Sequence, residues 1–366
     1  MMRKKNLIIV VFVFLFACVA VFEYMYQDKL TEWFPERELL PNTSDEGEEL
    51  LDEELIEEHE EQKEELASEE LDHDDLIIGK TMDEVIEDFG EPDRTDLSAY
   101  GYEWLIYAKS DSSYFQIGME DGKVVTAYFI GDMLEELPYE LLDTYDEMNE
   151  NYHFDEQVSA NSTYGQFQFE LSPEDKKNRP LIQYADGVWL QIYFDQFTNQ
   201  LSSLRVLNED ILVRQRPYSV SYRGRLPEPI ERSAEEQERI ERGEEQQIFD
   251  VTNVMRTRHQ LEAFVWDQEI AEVAVKHSED MQKHQFFSHV SPNTGDLSAR
   301  IQEGGLRPRL AGENIAAHYV DGVAAVEGWL NSEGHRVNLL HEEFTHLGVG
   351  VYEDYYTQNF MTPWLP

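Results

Sequence analysis

A run of sixteen apolar residues near the amino terminus, from Leu7 to Phe22, constrains this chain more than any other feature. A helix of that length spans about 24 Å, slightly less than the ~30 Å hydrocarbon core of a bilayer. Arg3, Lys4 and Lys5 precede the run, and the positive-inside rule places this basic side in the cytoplasm. We therefore expect residues 1–27 to be a single-pass signal-anchor in the cell membrane, with all later residues extracellular.

Two other interpretations use the same residues. The segment Leu15-Phe16-Ala17-Cys18 is loosely similar to a lipoprotein processing site, and a signal peptidase could instead cut near Ala20. All three interpretations place the rest of the chain outside the cytoplasm. Cys18 is the only cysteine in the sequence, so no intrachain disulfide can form. The folded parts must therefore be stable through packing.

Acidic residues dominate the composition. The chain carries 76 Asp and Glu against 29 Lys and Arg, a formal charge of −47. Such a surface repels phosphate backbones, so we exclude nucleic acid and expect neutral, cationic or metal-bearing partners. Between Ser44 and Asp75 only Lys63 opposes the acidic residues. We expect residues 28–75 to be an extended acidic linker, with a metal-buffering or docking segment as the alternative.

Residues 76–216 have the composition of a globular domain rich in aromatic and β-branched residues. Thr81, with Glu84 three positions later, predicts a capping box at the start of a short helix that ends at Gly90. Apolar runs separated by turn signals predict antiparallel strands and hence an α+β domain. These runs are Tyr102–Tyr107, Tyr114–Met119, Val124–Ile130, Trp189–Phe194 and Leu201–Leu207.

Several short motifs in this region resemble the CAP-associated N-terminal domain, which precedes some bacterial domains of the CAP superfamily (cysteine-rich secretory proteins, antigen 5 and pathogenesis-related proteins). The matching residues are Ile78-Gly79-Lys80, Phe89-Gly90-Glu91-Pro92 with Arg94, and Tyr100-Gly101-Tyr102-Glu103-Trp104 with Tyr107. No catalytic constellation is present among them. Residues 217–247 are highly charged, and we expect a linker that passes into a solvated helix, with a break at Gly243.

Residues 248–366 combine helical periodicity with a final hairpin. Helices are predicted over Ile248–Arg258, from the capping residue Asp267 to Met281, and over Val323–Leu330. Strands are predicted over Thr345–Val351 and Tyr355–Met361. This order favours helices packed on both faces of an antiparallel sheet.

Ordered motifs in the same region resemble bacterial CAP (SCP-like) domains. They are Trp266-Asp267, His277-Ser278-Glu279-Asp280-Met281, Phe287-Ser288-His289, Ala311-Gly312-Glu313-Asn314-Ile315-Ala316, Ala325-Val326-Glu327-Gly328-Trp329, Ser332-Glu333-Gly334-His335-Arg336-Val337-Asn338 and Phe344-Thr345-His346-Leu347-Gly348-Val349-Gly350-Val351. The resemblance implies an α-β-α sandwich. The expected architecture is therefore α+β, with this CAP sandwich preceded by a smaller α+β domain, an acidic linker and one transmembrane helix.

The resemblance also implies a cavity lined by His289, Glu313 and His335. The family's second acidic position falls near Ser332, so a hydroxyl replaces the carboxylate there. Two imidazoles and one carboxylate suit zinc or a similar divalent metal with an open fourth position. The same three side chains can instead hydrogen-bond a polar ligand or form a purely structural network. No cofactor is required by either of these two interpretations.

We therefore expect a membrane-anchored extracellular protein that binds an unidentified protein, lipid or cell-wall ligand through a cleft containing His289, Glu313, Ser332 and His335. The alternatives are a metal-assisted hydrolase of wall or peptide bonds and a structural spacer. Either Ser288 or Ser332 could be paired with a histidine as nucleophile and base. The sequence has no Gly-x-Ser-x-Gly elbow and no His-Glu-x-x-His motif, so an enzyme is the weaker expectation and no catalytic residue is assigned.

Overall fold

The computed structural model describes residues 76–364, and the predicted anchor (1–27) and acidic linker (28–75) lie outside this range. No helix within the range is long and apolar enough to cross a bilayer. Both predicted globular regions fall in a single compact unit.

The first domain contains two antiparallel sheets. Its helices are α1 (Met82–Phe89), α2 (Tyr145–Tyr152), α3 (Pro173–Asn178) and α4 (Glu209–Gln215), with a 3-10 turn at Asp132–Glu136. Its strands are β1 (Arg94–Leu97), β2 (Glu103–Ser110), β3 (Ser113–Glu120), β4 (Lys123–Gly131), β5 (Gln157–Ser162), β6 (Gly165–Glu170), β7 (Leu181–Ala185), β8 (Val188–Asp195), β9 (Gln200–Leu207) and β10 (Ser219–Gly224). The larger sheet has the order β1-β2-β3-β4-β9-β8-β7, and the smaller has the order β10-β6-β5.

Local signals fix the ends of these elements as predicted. The Thr81 side chain accepts from the Glu84 backbone while the Glu84 carboxylate accepts from the Thr81 backbone, which completes the capping box of α1. Gly90 ends that helix at φ 80°, a conformation in which a side chain would be strained. At the β3–β4 turn, Asp121 and Gly122 both have positive φ, as a tight hairpin requires.

The larger sheet is buried on both faces. Leu105 and Phe129 point to one side, into a core formed within the first domain. Trp104 and Tyr128 point to the other side, into a core that also contains Val251 of the second domain. One apolar cluster thus contains residues of both domains. The second face of the sheet is buried only when the two domains pack together.

The second domain places helices on both faces of a four-stranded sheet, as predicted. Its helices are α5 (Ala234–Arg258), α6 (Gln268–His284), α7 (Leu297–Glu303), α8 (Gly322–Leu330) and α9 (Glu333–Leu339). Its strands are β11 (Val265–Trp266), β12 (Leu310–Ala317), β13 (His346–Tyr352) and β14 (Tyr355–Thr362), in the order β11-β13-β14-β12. The two-residue strand β11 runs parallel to β13, whereas the other pairs are antiparallel as expected.

Alternation along β13 separates the two helical layers. Val349 belongs to the core shared with α5, whereas Gly348 and Gly350 face α6. A Cβ on Gly348 would lie 2.2 Å from the Ala271 backbone nitrogen, so only glycine allows the helix to approach this closely. The motif Gly348-Val349-Gly350 is therefore explained by packing on both faces of the strand.

The segment 217–247 contains the predicted helix, but it is part of the fold and not a linker. Residues Ser219–Gly224 form β10, and α5 begins at Ala234 behind a capping box from Ser233. The helix passes without a break through Gly243, which lies so close to Asp96 that a Cβ would meet its side chain at 2.9 Å. Gly243 has a low helix propensity, and its presence within α5 is explained by close packing against the first domain. The first domain, with its seven- and three-stranded sheets, is also not the smaller of the two.

A buried ion pair joins the two domains. Arg205 on β9 and Asp321 before α8 form two hydrogen bonds of 2.7 and 2.8 Å, with side chains only 0% and 5% exposed. Asp321 is also the N-cap of α8 and accepts from the Ala324 backbone at 3.0 Å. Removing either partner would leave an unpaired charge in the core.

We predict that Arg205→Met lowers the free energy of unfolding by about 3–5 kcal/mol, because Asp321 then remains buried without its counter-charge. The matched control is Arg242→Met, which breaks the exposed Arg242–Glu238 pair of α5. That change should cost less than about 1 kcal/mol. Urea denaturation of both variants checks this, and equal losses would contradict a structural role for the buried pair.

Candidate functional site

A buried carboxylate, Glu313, is the centre of the candidate site. It lies on β12 opposite Asn359 of β14 and is 7% exposed. His289 Nδ1 donates to its Oε1 at 2.9 Å, and Arg300 Nη2 donates to its Oε2 at 2.5 Å. With its amide oriented to satisfy both atoms, Asn359 donates to Oε2 at 3.1 Å. Both carboxylate oxygens are therefore engaged within the protein.

The charge of Glu313 is balanced at short range. Burial acts to raise its pKa, but the hydrogen bond from His289 and the positive charge of Arg300 outweigh that effect and hold the pKa below its ordinary value. Glu313 is consequently ionised at neutral pH despite its burial. Because Arg300 pairs with Glu313 inside the fold, the site presents no net negative charge from Glu313 at its surface.

Sequence reasoning missed Arg300, which organises the loop around His289. Its Nη1 donates to the backbone oxygens of His289 at 3.0 Å and Gly295 at 2.8 Å. The side chain is 4% exposed and projects from the short helix α7. Asp296, the N-cap of α7, was the local signal available for this helix. No local signal indicates that an arginine on it should contact Glu313.

His277 on α6 supports the same loop. Its Nε2 donates to the Ser288 backbone oxygen at 3.1 Å and lies 3.9 Å from Glu313 Oε1. Burial lowers the pKa of His277 to about 4, against the opposing attraction of Glu313, so the ring is neutral at pH 7. The residue before His289 is thus held by a neutral histidine.

His335 and Ser332 form a second pair on α9. Ser332 occupies the N-cap position but caps no backbone group with its side chain, and its hydroxyl instead bonds His335 Nδ1 at 2.8 Å. Burial lowers the pKa of His335 to about 4, and the positive charge that His289 carries when protonated acts in the same direction. The structure therefore unites His289 with Glu313, and Ser332 with His335, as two hydrogen-bonded pairs.

Two asparagines connect these pairs. Asn338 Nδ2 donates to the Glu313 backbone oxygen and to Asn314 Oδ1, both at 3.0 Å. Asn314 Nδ2 donates in turn to the His335 backbone oxygen at 3.2 Å. These bonds fix α9 against β12, so the four predicted residues belong to one connected network.

The predicted metal centre of His289, Glu313 and His335 does not fit this geometry. Within residues 76–364 no group of three or more His, Cys, Asp or Glu side chains is arranged to hold a metal ion. Glu313 spends both oxygens on protein donors, and the Arg300 guanidinium beside it repels a divalent cation. The three side chains are therefore not assigned to a metal.

Comparison with known proteins identifies both domains. The model of the CAP-associated N-terminal family matches residues 78–218, and that of the cysteine-rich secretory protein family, CAP, matches residues 249–362. The chain is 45% identical over 287 residues to the uncharacterized membrane protein YlbC of Bacillus subtilis, covering 78% of this chain and 83% of the relative. The chain belongs to the CAP family.

Solved structures agree with this assignment. An extracellular protein containing an SCP domain from Bacillus anthracis is 40% identical, with a TM-score of 0.73 over 88% of this chain and 100% of the other. A cysteine-rich secretory protein from Staphylococcus aureus, at 22% identity, has a TM-score of 0.68 over 78% of this chain and 91% of the other. The second similarity concerns the fold alone.

The buried His277 predicts a pH-dependent stability for the CAP domain. Its pKa falls from 6.5 in the unfolded chain to about 4 in the fold, so its contribution is complete above pH 6.5 and is lost as the pH drops toward 4. A shift of this size corresponds to about 3 kcal/mol. Urea denaturation at pH 7 and pH 4.5 should show a smaller loss on acidification for His277→Gln than for the parent, and equal losses would contradict the assignment.

Proposed function

We propose that this protein is an extracellular, membrane-anchored binding module whose CAP domain recognises a polar ligand at the site of His289, Glu313, Ser332 and His335. One observation carries the proposal. Arg300 compensates the charge of Glu313 inside the fold, while the His289 side chain that hydrogen-bonds this carboxylate is 54% exposed. The site thus presents a fixed imidazole to solvent without presenting a net negative charge.

The tautomer of His289 defines what it offers to a ligand. Because Nδ1 donates to an ionised carboxylate, the neutral ring carries its proton there and leaves Nε2 as a hydrogen-bond acceptor. Val290 directly follows His289 in the sequence and is 58% exposed. Val337 follows His335 by two residues and is 60% exposed. Hydrogen-bonding groups bordered by apolar surface favour an uncharged ligand rich in hydroxyl or amide groups, such as a cell-wall component, over a metal or an anion.

The membrane assignment draws on the relatives and on the amino-terminal sequence. One relative carries the name membrane protein, and a solved relative is described as extracellular. The apolar run Leu7–Phe22 supports a single-pass anchor, and the acidic residues 28–75 would keep the CAP domain away from the membrane surface. The anchor and the acidic linker are both part of this proposal. A chain with a net charge of −47 is also poorly suited to bind nucleic acid or anionic lipid.

A serine hydrolase is the second candidate, and one contact favours it. The Ser332 hydroxyl lies 2.8 Å from Nδ1 of a neutral imidazole, His335, within the reach of a nucleophile and its base. Among the described residues, however, no carboxylate hydrogen-bonds His335 to orient the ring. The two residues are also three apart on one short helix, where a local bond between an N-cap and the N3 side chain is common. We therefore rank binding first.

Binding is tested by sedimentation of the full chain with purified peptidoglycan sacculi. We expect His289→Ala to weaken the apparent affinity about fivefold to tenfold, because a neutral hydrogen bond to the ligand is worth about 1–1.4 kcal/mol. The control is His284→Ala, which removes an equally exposed histidine (55%) that contacts Asp280 outside the site. His284→Ala should bind like the parent.

The same experiment separates the two candidate functions. Soluble fragments released from the sacculi would indicate hydrolysis, and their loss in Ser332→Ala would assign it to the Ser332–His335 pair. Binding without release supports the module. Equal retention of the parent, His289→Ala and His284→Ala would reject the site as the place of recognition.

A further inference from the structure

The short helix α9, which carries His335, is held from outside the CAP domain. Its seven residues make barely two turns, too few to be stable without tertiary contacts. Its N-cap hydroxyl is committed to His335 rather than to the helix backbone. The orientation of α9 therefore depends on what its remaining side chains contact.

The β8–β9 turn of the CAP-associated domain supplies those contacts. Asp195 Oδ2 accepts from Arg336 Nη2 at 2.8 Å, one residue after His335. Asp195 Oδ1 accepts from the Phe197 backbone at 3.0 Å, which fixes the carboxylate within its turn. The Arg336 guanidinium also lies 4.8 Å from the centre of the Phe197 ring. A single arginine on α9 thus meets both a carboxylate and an aromatic ring of the other domain.

The same turn also holds the junction between α8 and α9. Asn331, the C-cap of α8, accepts from the Gln196 backbone at 2.8 Å and donates to the Phe194 backbone oxygen at 2.8 Å. The Gln196 side chain donates back to the Asn331 backbone oxygen. Residue 331 immediately precedes Ser332, so both ends of the segment 331–336 are bonded to the CAP-associated domain.

We propose that the β8–β9 turn of the CAP-associated domain is a positioning element of the CAP site, with Asp195 and Asn331–Gln196 setting the place of His335 through α9. Asp195 touches no site residue directly and acts through Arg336. Asn314 and Asn338 hold the opposite side of α9 against β12, so the helix lies between two sets of bonds from different domains. The significance of this arrangement for ligand binding rests on the proposed function, but the positioning itself can be measured without a ligand.

The strength of the Asp195–Arg336 contact supports this role. Although burial acts to raise the pKa of Asp195, hydrogen bonds from His259 and Arg336 lower it to about 2. His259, at the end of α5, lies 3.5 Å from the same oxygen. The carboxylate therefore stays ionised throughout the range in which a surface or wall protein operates.

The test is the pKa of His335, followed by NMR in the full-length protein with labelled histidine and assigned through His335→Gln. In the parent, the pKa should be near 4 because the ring is packed. In Asp195→Asn, α9 loses the ion pair between Arg336 and Asp195, so the His335 ring becomes more solvated. We expect the pKa of His335 to rise by about 1 unit or more toward its ordinary value.

The matched control is Asp250→Asn, the same substitution at another ion pair between the domains, Arg94–Asp250 at 2.9 Å. This pair joins β1 to α5 and should leave the His335 pKa unchanged. A third variant, Arg336→Lys, keeps the charge but loses the planar contact with Phe197, and we expect an intermediate rise. It also provides the readout if Asp195→Asn fails to fold.

Equal His335 pKa values in the parent and in Asp195→Asn, or in the parent and in Arg336→Lys, would overturn the proposal. An equal shift in Asp250→Asn would also overturn it, because general loosening of the interface would then account for the effect. Since no ligand is present, neither result depends on whether the module binds a wall component. Failure of the positioning role and failure of the proposed function are thus distinguishable.

Discussion

The buried pair of Arg205 and Asp321 is the interaction on which the rest of the structure depends. Neither charge is tolerable in the core without the other, and each belongs to a different domain. Asp321 also begins α8, so the pair fixes the start of a helix as well as the docking of two domains. On the same helix, Glu327 accepts hydroxyl hydrogen bonds from Tyr128, Ser202 and Ser203 of the first domain. Helix α8 is consequently a shared element.

Polar bonds specify the interface while apolar packing supplies most of its stability. Trp104, Tyr128 and Val251 lie in one continuous core across the domain boundary. Apolar contacts are not directional, whereas a two-bond ion pair and three converging hydroxyl groups require one specific geometry. This explains how α9 comes to lie between the β8–β9 turn and β12. The segment that carries Ser332 and His335 is bonded to both domains.

The parts of this fold that could be predicted from sequence depend on neighbours in the chain. The Thr81 capping box, the turn at Asp121-Gly122 and the cap at Asp267 each require only residues within a few positions of one another. The strands of the three predicted hairpins follow from apolar runs and turn signals, and they agree with the structure to within a few residues. The resemblance to CAP domains likewise identified His289 and Glu313, which the structure joins directly.

The parts that could not be predicted depend on distant partners. Arg300 reads as an ordinary charge on a short helix until β12 brings Glu313 to it. From the sequence, Gly243 predicts a break in a charged segment, but in the structure it packs against the first domain. The neighbouring residue Glu244 is buried. The predicted metal centre does not fit the described geometry for the same reason, because residue types alone do not show that an arginine already pairs with the carboxylate. Buried polar groups are defined by contacts that only the fold creates.

The claim that the two domains share one core is tested most directly by hydrogen exchange of the full-length protein in increasing urea, followed by mass spectrometry. Peptides from β3 and β8 report on the CAP-associated domain, and peptides from α6 and β14 report on the CAP domain. The shared core and the buried ion pair predict that all four lose protection at one urea concentration. Loss of protection in β3 and β8 while α6 and β14 remain protected would show that the domains fold independently, and would contradict the account.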